Sequence, residues 1–414
     1  MQRLAIISYH TSPLVQPGVG DGGGMNVYVR QLSSALARLG VKCDVYTRAY
    51  STDLPASFEI EPGCSVHHIP AGPLDDIPKS ELLRYLDEFA ANLQTRFRLD
   101  PDLLPDAIHA NYWLSGVVGH TLKHQLEIPL ITTFHTLEMI KAKDRAVPDD
   151  DISEDLRISE EIKIMNCSDV VLASCDVEAD EISSLYQVDR SRISVIPLGV
   201  DHAFFSPGNR DMARRAIGLP IKGRMMLFVG RVQPLKGADI AVEAFIAIAE
   251  RIPDLFLVMV GGPSGPKGQE VMDQIRQKVT SAGLSDRVYF VAPQRHEILS
   301  SYYRAADVSI VPSRTESFGL VALEAAACGV PVVASSVGGL KTLVKHGSSG
   351  YLVSNRTSEE FGRFTVRVLE NASLAKSLQK EAQSLSSRYT WRDAAIRLRG
   401  VLLELTAREL IECI

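Results

Sequence analysis

This 414-residue sequence has no excess of basic charge, no closely paired cysteines and no long apolar run. Its 44 lysines and arginines are outnumbered by 50 aspartates and glutamates, giving a net charge of −6 at pH 7. A nucleic-acid-binding chain would carry a basic face, so no nucleic-acid partner is expected. The cysteines Cys43, Cys64, Cys167, Cys175, Cys328 and Cys413 form no CxxC pair and do not stand beside histidines at zinc spacing. Cysteines scattered in this way are expected as reduced thiols in the cytoplasm. Met1-Gln2-Arg3 runs straight into a strand-like segment with no apolar signal core, so secretion is not expected. No stretch approaches the ~18 apolar residues of a spanning helix, so no integral membrane segment is expected. Short-period repeats and low-complexity tracts are absent as well.

What remains is a globular composition, 45% hydrophobic and 23% charged. That is enough apolar material for two cores and argues against a disordered chain. At roughly 150 residues per domain the length also suggests two or three domains.

The patterning is that of an α/β protein. Leu4 to Tyr9 is a continuous apolar run, as in a strand buried on both faces. A glycine-rich loop follows, and Met25 to Leu39 then carries Val27, Leu32, Leu36 and Leu39 at helical spacing. Gly40 ends that helix and Val41 to Thr47 reads as the next strand, completing a βαβ unit. Strands are expected again at 107–109, 130–134, 170–173 and 193–196. The polar stretch at 198–222 reads as an interdomain linker. A second series starts at Met225 to Val229, with a helix over 238–252 and strands at 255–260, 288–290, 308–312 and 330–334. The acidic run Asp149-Asp150-Asp151 reads as a solvated loop.

Four segments carry chemical promise. In the loop Gly18-Val19-Gly20-Asp21-Gly22-Gly23-Gly24, small residues let backbone N–H groups and a helix N-terminus approach an anion. Gly18, Gly20 and Gly23 even satisfy G-x-G-x-x-G, with Asp44 about 20 residues on, as a dinucleotide site requires. The stretch from Tyr9 to Gly18 is too long for the tight turn of that motif. Next, Gly230-Arg231 with Lys236 places a planar fork and a point charge at a strand-to-helix turn, where a diphosphate could be clasped. Open α/β sheets bind ligands at that edge. The third segment, Pro312 to Ala325, holds Glu316, Ser317-Phe318-Gly319 and Glu324. The two glutamates are expected two helical turns apart on one face. Amides near Phe318 and Gly319 could hold hydroxyls or phosphate. Glu324, among small apolar residues, needs a partner such as a ribose diol. Fourth, His135-Thr136 follows the strand ending at Phe134; a single such histidine is more often structural than catalytic.

Together these residues resemble the retaining GT-B glycosyltransferases of family 4. The resemblance rests on Glu316-x7-Glu324 with Ser317-Phe318-Gly319-Leu320, on Gly230-Arg231 with Lys236, and on the N-terminal glycine loop. Tyr389-Thr390-Trp391 resembles the aromatic-x-Trp motif before the last helix of such enzymes. The likeness covers nearly the whole chain. It implies two Rossmann-like, doubly wound domains facing a cleft: 1–198 for the acceptor, 199–388 for the UDP-sugar, and a helix over 389–414 crossing back. Within the family, His10 to Leu14, Gly20-Asp21 with Gly23 to Val29, and Tyr112 to Gly116 resemble one branch. Its members move N-acetylglucosamine from UDP-GlcNAc to 1D-myo-inositol 3-phosphate, the first step of mycothiol biosynthesis.

The resemblance implies roles. Lys79, Tyr112, Thr136 and Arg157 would meet the acceptor phosphate. Asp21, Gly22, Gly23, Gly24, Met25 and Asn26 would meet the acceptor ring. His10, Gln16, Pro17 and Gly24 would contact the donor. Arg231 and Lys236 would hold the diphosphate, Glu324 the ribose, and Gln294 would lie by the uracil. Glu316, with Ser317, Phe318, Gly319 and Leu320, would position the sugar. His135 would line the reaction centre. No residue is an obvious nucleophile, and the family reading is a front-face transfer needing no cofactor. A structural Mg2+ would sit on carbonyls of Tyr303, Arg304 and Ala306, and a homodimer is implied. Five positions depart from the family: Gln294 and Val330 stand for an arginine and a threonine, and Glu138-Met139-Ile140 for small residues. Rival readings are a UDP-glucose-dependent transfer to another sugar phosphate, as in sucrose-phosphate synthases, and an NAD-dependent oxidoreductase. A catalytically dead sugar-nucleotide binder is disfavoured by the intact Glu316, Arg231 and Lys236.

Overall fold

The computed structural model describes residues 3–18, 20, 22–143, 153–265, 267–405 and 409–411. Asp21 and the acidic run at 149–151 therefore lie outside the described residues.

Two compact units form. The first comprises Met1–Val15, Gly24–Pro197 and Trp391–Ile414. Its sheet is built from β1 (Arg3–Ile7), β2 (Lys42–Arg48), β3 (Ser57–Glu61), β4 (Cys64–Ile69), β5 (Ala107–Asn111), β6 (Leu130–Thr133), β7 (Val170–Ala173) and β8 (Ile193–Val195). The strand order is β3-β4-β2-β1-β5-β6-β7-β8, parallel except for the antiparallel β3. Short apolar runs bounded by turns form these strands because helices cover both faces. Phe89, Trp113, Leu114 and Leu122 are fully buried in this core. The hairpin β3–β4 has no counterpart in the sequence-based expectation, since β3 is a charged, largely exposed edge.

The second unit comprises Gln16–Gly23 and Leu198–Thr390. Its strands are β9 (Arg224–Val229), β10 (Leu255–Val260), β11 (Val288–Val291), β12 (Val308–Val311), β13 (Val332–Ser335) and β14 (Gly350–Val353). The order β11-β10-β9-β12-β13-β14 is the doubly wound arrangement, with its reversal of direction between β9 and β12. Phe228, Phe245, Ile310 and Phe361 anchor its core.

The glycine loop, expected in the first domain, packs with the second unit. Gln16 Nε2 donates to the Pro293 carbonyl at 2.9 Å, and Ser264 Oγ donates to the Gly20 carbonyl at 3.1 Å. The last helix, Trp391–Leu405, belongs to the first unit: Trp391 stacks edge-on to Tyr28 at 6.2 Å, and Arg399 donates to the Leu39 carbonyl.

Asp44, the acid a dinucleotide site would need, is committed elsewhere. It pairs with Arg3 and accepts from His67 Nε2 at 2.8 Å. Burial raises its pKa, but the His67 hydrogen bond and the Arg3 charge outweigh burial and hold the carboxyl below its usual range. Cys43, Cys64, Cys175 and Cys328 are buried thiols outside any disulfide. Cys167 is disulfide-bonded, so the expectation of reduced thiols does not hold there.

Candidate active site

In the second unit the groups gather where β9 and β12 end, at the reversal of the sheet. Arg231 follows β9 directly and is only partly buried. Among the described residues its one hydrogen bond, to Ser264 Oγ, is long at 3.4 Å. No carboxylate forms an ion pair with it among the described residues. Gly23 borders the guanidinium: a Cβ built on it would lie in van der Waals contact, 3.7 Å from Arg231 Nε. The charge is therefore uncompensated and suited to an anion.

Lys236 sits in the same turn. It is held by Gly237, whose φ of +67° and close approach to the Pro312 carbonyl exclude a side chain. Lys236 Nζ lies 2.7 Å from Glu316 Oε2, with both groups partly exposed. Ser313 Oγ donates to the same oxygen at 3.3 Å. Glu316 is not on a helix. The helix Leu320–Ala327 starts after Gly319, whose φ of +105° breaks the chain direction. The expectation of two glutamates on one helical face is thus corrected: the pair is split between a loop and a helix. Ser317 and Leu320 flank this turn and are partly buried, while Phe318 is buried and packs edge-on to Tyr389 at 5.8 Å.

Glu324 is buried. Tyr303 Oη donates to its Oε2 at 2.8 Å, and His296 Nε2 lies 3.8 Å from Oε1. Burial pushes its carboxyl above the usual range, against the opposing His296 charge and Tyr303 hydrogen bond. Gln294 donates to the Ala292 carbonyl at 2.9 Å. Pro17 and Gly18 lie in the docked loop, and a Cβ on Gly18 would touch Pro293 at 3.0 Å.

The proposed metal carbonyls fit a divalent cation poorly. Tyr303 already accepts the Ala306 N–H at 3.0 Å. The Arg304 guanidinium donates to the carbonyls of Ser206 and Phe204. The neighbouring Asp307 carboxylate is taken by Arg210, Arg214 and the Met225 amide. Three guanidinium groups crowd this site and repel rather than hold a hard cation.

In the first unit the groups lie where β1, β5 and β6 end. His10 follows β1, and its ring packs 4.5 Å from that of Tyr112, which follows β5. Tyr112 and His135 both have positive φ, +76° and +63°. Such backbone strain concentrates at functional sites. His135 Nε2 lies 2.9 Å from Asn111 Oδ1. Burial, reinforced by His109 and His10, pushes its pKa down to about 3, so the ring is neutral at pH 7. The helix Gly24–Arg38 begins at the glycine loop. Gly24 is exposed, Met25 partly so and Gly22 buried. Asn26 is buried and donates to Thr11 Oγ1 and the Ser12 carbonyl at 2.8 and 2.7 Å. Lys79 opens the short helix Lys79–Leu82 and is partly buried.

Arg157 differs most from its expected role. It is 1% exposed. Its Nε lies 2.8 Å from Glu161 and its NH1 2.9 Å from Glu138. Its NH2 donates to the Thr136 carbonyl and hydroxyl at 2.9 and 3.1 Å, and the guanidinium stands 5.1 Å over the Tyr112 ring. So the structure brings Arg157, Thr136 and Tyr112 together, but not as an open phosphate pocket. Ser264, Tyr303, His296 and Glu161 complete the two clusters. Sequence reasoning missed Ser264, His296 and Glu161, and it singled out Tyr303 for its carbonyl and not its hydroxyl, because nothing in their local context marks these contacts.

Residues 22–204 match Glycosyltransferase Family 4, and residues 209–385 match Glycosyl transferases group 1. The D-inositol 3-phosphate glycosyltransferase of Actinosynnema mirum is 42% identical over 397 residues, 94% of either chain. That of Acidothermus cellulolyticus is 42% identical over 97% of this chain and 90% of its own. Sucrose-phosphate synthase from Thermosynechococcus elongatus superposes with a TM-score of 0.89 at 33% identity, covering 98% of this chain and 100% of its own. Anabaena HepE, solved with UDP and glucose, shares the fold at a TM-score of 0.76 and 19% identity, covering 98% of this chain and 100% of its own. With such identity over nearly its full length, the chain belongs to the glycosyltransferase family of these D-inositol 3-phosphate glycosyltransferases.

Proposed function

We propose that the chain transfers N-acetylglucosamine from UDP-GlcNAc to 1D-myo-inositol 3-phosphate with retention of anomeric configuration, the first step of mycothiol biosynthesis. The names of the relatives support the acceptor. The observation that carries the reading is the uncompensated Arg231 beside the Lys236–Glu316 pair at the end of β9. A diphosphate entering there takes both cations. As the glycosidic bond breaks, Arg231 and Lys236 stabilise the charge gathering on the departing UDP, which is electrostatic catalysis. Glu316, released from Lys236, orients the sugar hydroxyls. Glu324, presented by Tyr303, accepts from the ribose. His135, neutral at working pH, orients by hydrogen bonding and does not act as an acid. The leaving phosphate oxygen takes the proton of the acceptor hydroxyl as that oxygen attacks on the same face. No metal enters these steps. The reading extends to a cytoplasmic homodimer, for which light scattering should give twice the 45.3 kDa of one chain.

A second reading, transfer from UDP-glucose to another sugar phosphate, is favoured by the 33% identity with a sucrose-phosphate synthase. Proton NMR of the product of UDP-GlcNAc and inositol 3-phosphate tests both the acceptor and the stereochemistry; a β-linked product would refute retention.

A further inference from the structure

Arg231 and Arg157 are the two arginines that the site assigns to phosphates, and their surroundings are opposite. Arg231 has no carboxylate partner among the described residues. Arg157 has two, Glu161 at 2.8 Å and Glu138 at 2.9 Å, and is shut off from solvent. Glu138 opens the helix Glu138–Lys143 and is itself 2% exposed. Its backbone N–H donates to Glu161 Oε2 at 3.0 Å, and Tyr186 Oη donates to that oxygen too. Lys141 Nζ stands 3.6 Å from Glu138 Oε2, the same oxygen that faces Arg157. A phosphate dianion approaching Thr136, the exposed member of the group, meets an Arg157 already paired with two carboxylates.

We propose that Glu138 is a specificity-determining residue, an internal anion that occupies Arg157 until the acceptor's phosphate displaces it. On acceptor binding the Glu138 carboxylate passes from Arg157 to Lys141, and Arg157 turns its NH1 to the phosphate. Lys141 Nζ already stands 3.6 Å from the moving oxygen, so the carboxylate keeps a cation beside it; leaving it buried without one would be costly. The exchange favours acceptors that carry a strong anion, which competes with Glu138 for Arg157. This inference rests on the phosphorylated acceptor proposed above.

The test uses the full chain loaded with UDP-GlcNAc. The acceptor KM is read against the donor KM for wild type, Glu138→Gln, Glu138→Asp and Lys141→Met. Glu138→Gln keeps the shape and removes the competing charge, so its acceptor KM should fall about tenfold, equivalent to ~1.4 kcal/mol. Lys141→Met removes the receiving cation, so its acceptor KM should rise. Glu138→Asp keeps the charge but draws the carboxylate back from Arg157, so its acceptor KM should fall less than that of Glu138→Gln. A purely structural Glu138 would lower the melting temperature in Glu138→Gln with an unchanged or higher acceptor KM, and that result overturns the inference. If Glu138→Gln does not fold, an unchanged acceptor KM in Lys141→Met overturns it. Wild-type turnover with inositol 3-phosphate but no KM change in the variants sinks this inference alone. Absence of turnover with any phosphorylated acceptor, together with no heat of binding for inorganic phosphate to wild type or Glu138→Gln, sinks the acceptor reading and this inference together.

Discussion

Replacing Arg231 by alanine separates catalysis from stability. The side chain is partly buried and, among the described residues, makes a single hydrogen bond at 3.4 Å. A contact that long contributes little, so the folding cost should stay within ~0.5 kcal/mol. For a domain of this size that is a fall of about 2 °C or less in melting temperature. Turnover should respond very differently. Removing one preorganised donor to a developing anion costs roughly 10²–10³ in rate, or ~2.7–4 kcal/mol. Coupled assay of UDP release reads the rate, and a thermal scan on the same sample reads stability. Arg231→Lys should fall between wild type and alanine, because it keeps the charge but loses the planar fork. Turnover within about threefold of wild type would refute the role given to Arg231. A large drop in melting temperature would refute the claim that its charge waits for a ligand.

Three further outcomes follow from the same geometry. Tyr303→Phe leaves the buried Glu324 without its hydroxyl donor, so urea unfolding should show a loss of ~1–3 kcal/mol and the donor KM should rise; an unchanged protein would contradict the pairing. Glu178 is buried, and burial pushes its pKa from 4.5 up to about 7 against the hydrogen bonds from Ser174. Because the folded state holds this proton more tightly, the stability it adds is complete below pH 4.5 and is lost as pH rises through 7. About 3 kcal/mol is at stake. Glu178→Gln should therefore be near neutral at pH 5 and stabilising at pH 8 in urea melts, and equal effects at both pH values would refute the assignment. Chelation by EDTA should leave transfer unchanged, since protein cations hold the diphosphate; loss of activity restored by Mg2+ would overturn that account.

Most of the scaffold could be read from the sequence because its signals are local. The apolar run of β10 and the alternation of strand and helix depend only on neighbouring residues, and they fall where expected. The carboxyl ends of β9 and β12 likewise located Arg231 and Glu316. What could not be read depends on contacts distant in sequence. The docking of the glycine loop onto Pro293 is one such contact, and the Tyr303 hydroxyl that meets Glu324 is another. The break at Gly319 that takes Glu316 off the helix is a conformational choice that no spacing rule contains. Arg157 illustrates the difference best. Its residue type and place in the family pattern suggest an open phosphate ligand, yet Glu138 and Glu161, one on a separate helix, neutralise it. The departure at Glu138 was visible as an unusual residue, but its partner was not.

The central claim is that this chain joins a UDP-activated sugar to a phosphorylated inositol. It is tested most directly by UDP release from UDP-GlcNAc with 1D-myo-inositol 3-phosphate, run beside UDP-glucose with fructose 6-phosphate. Release with the first pair and not the second is the expected result. Release with the second pair alone would contradict the acceptor and donor proposed here.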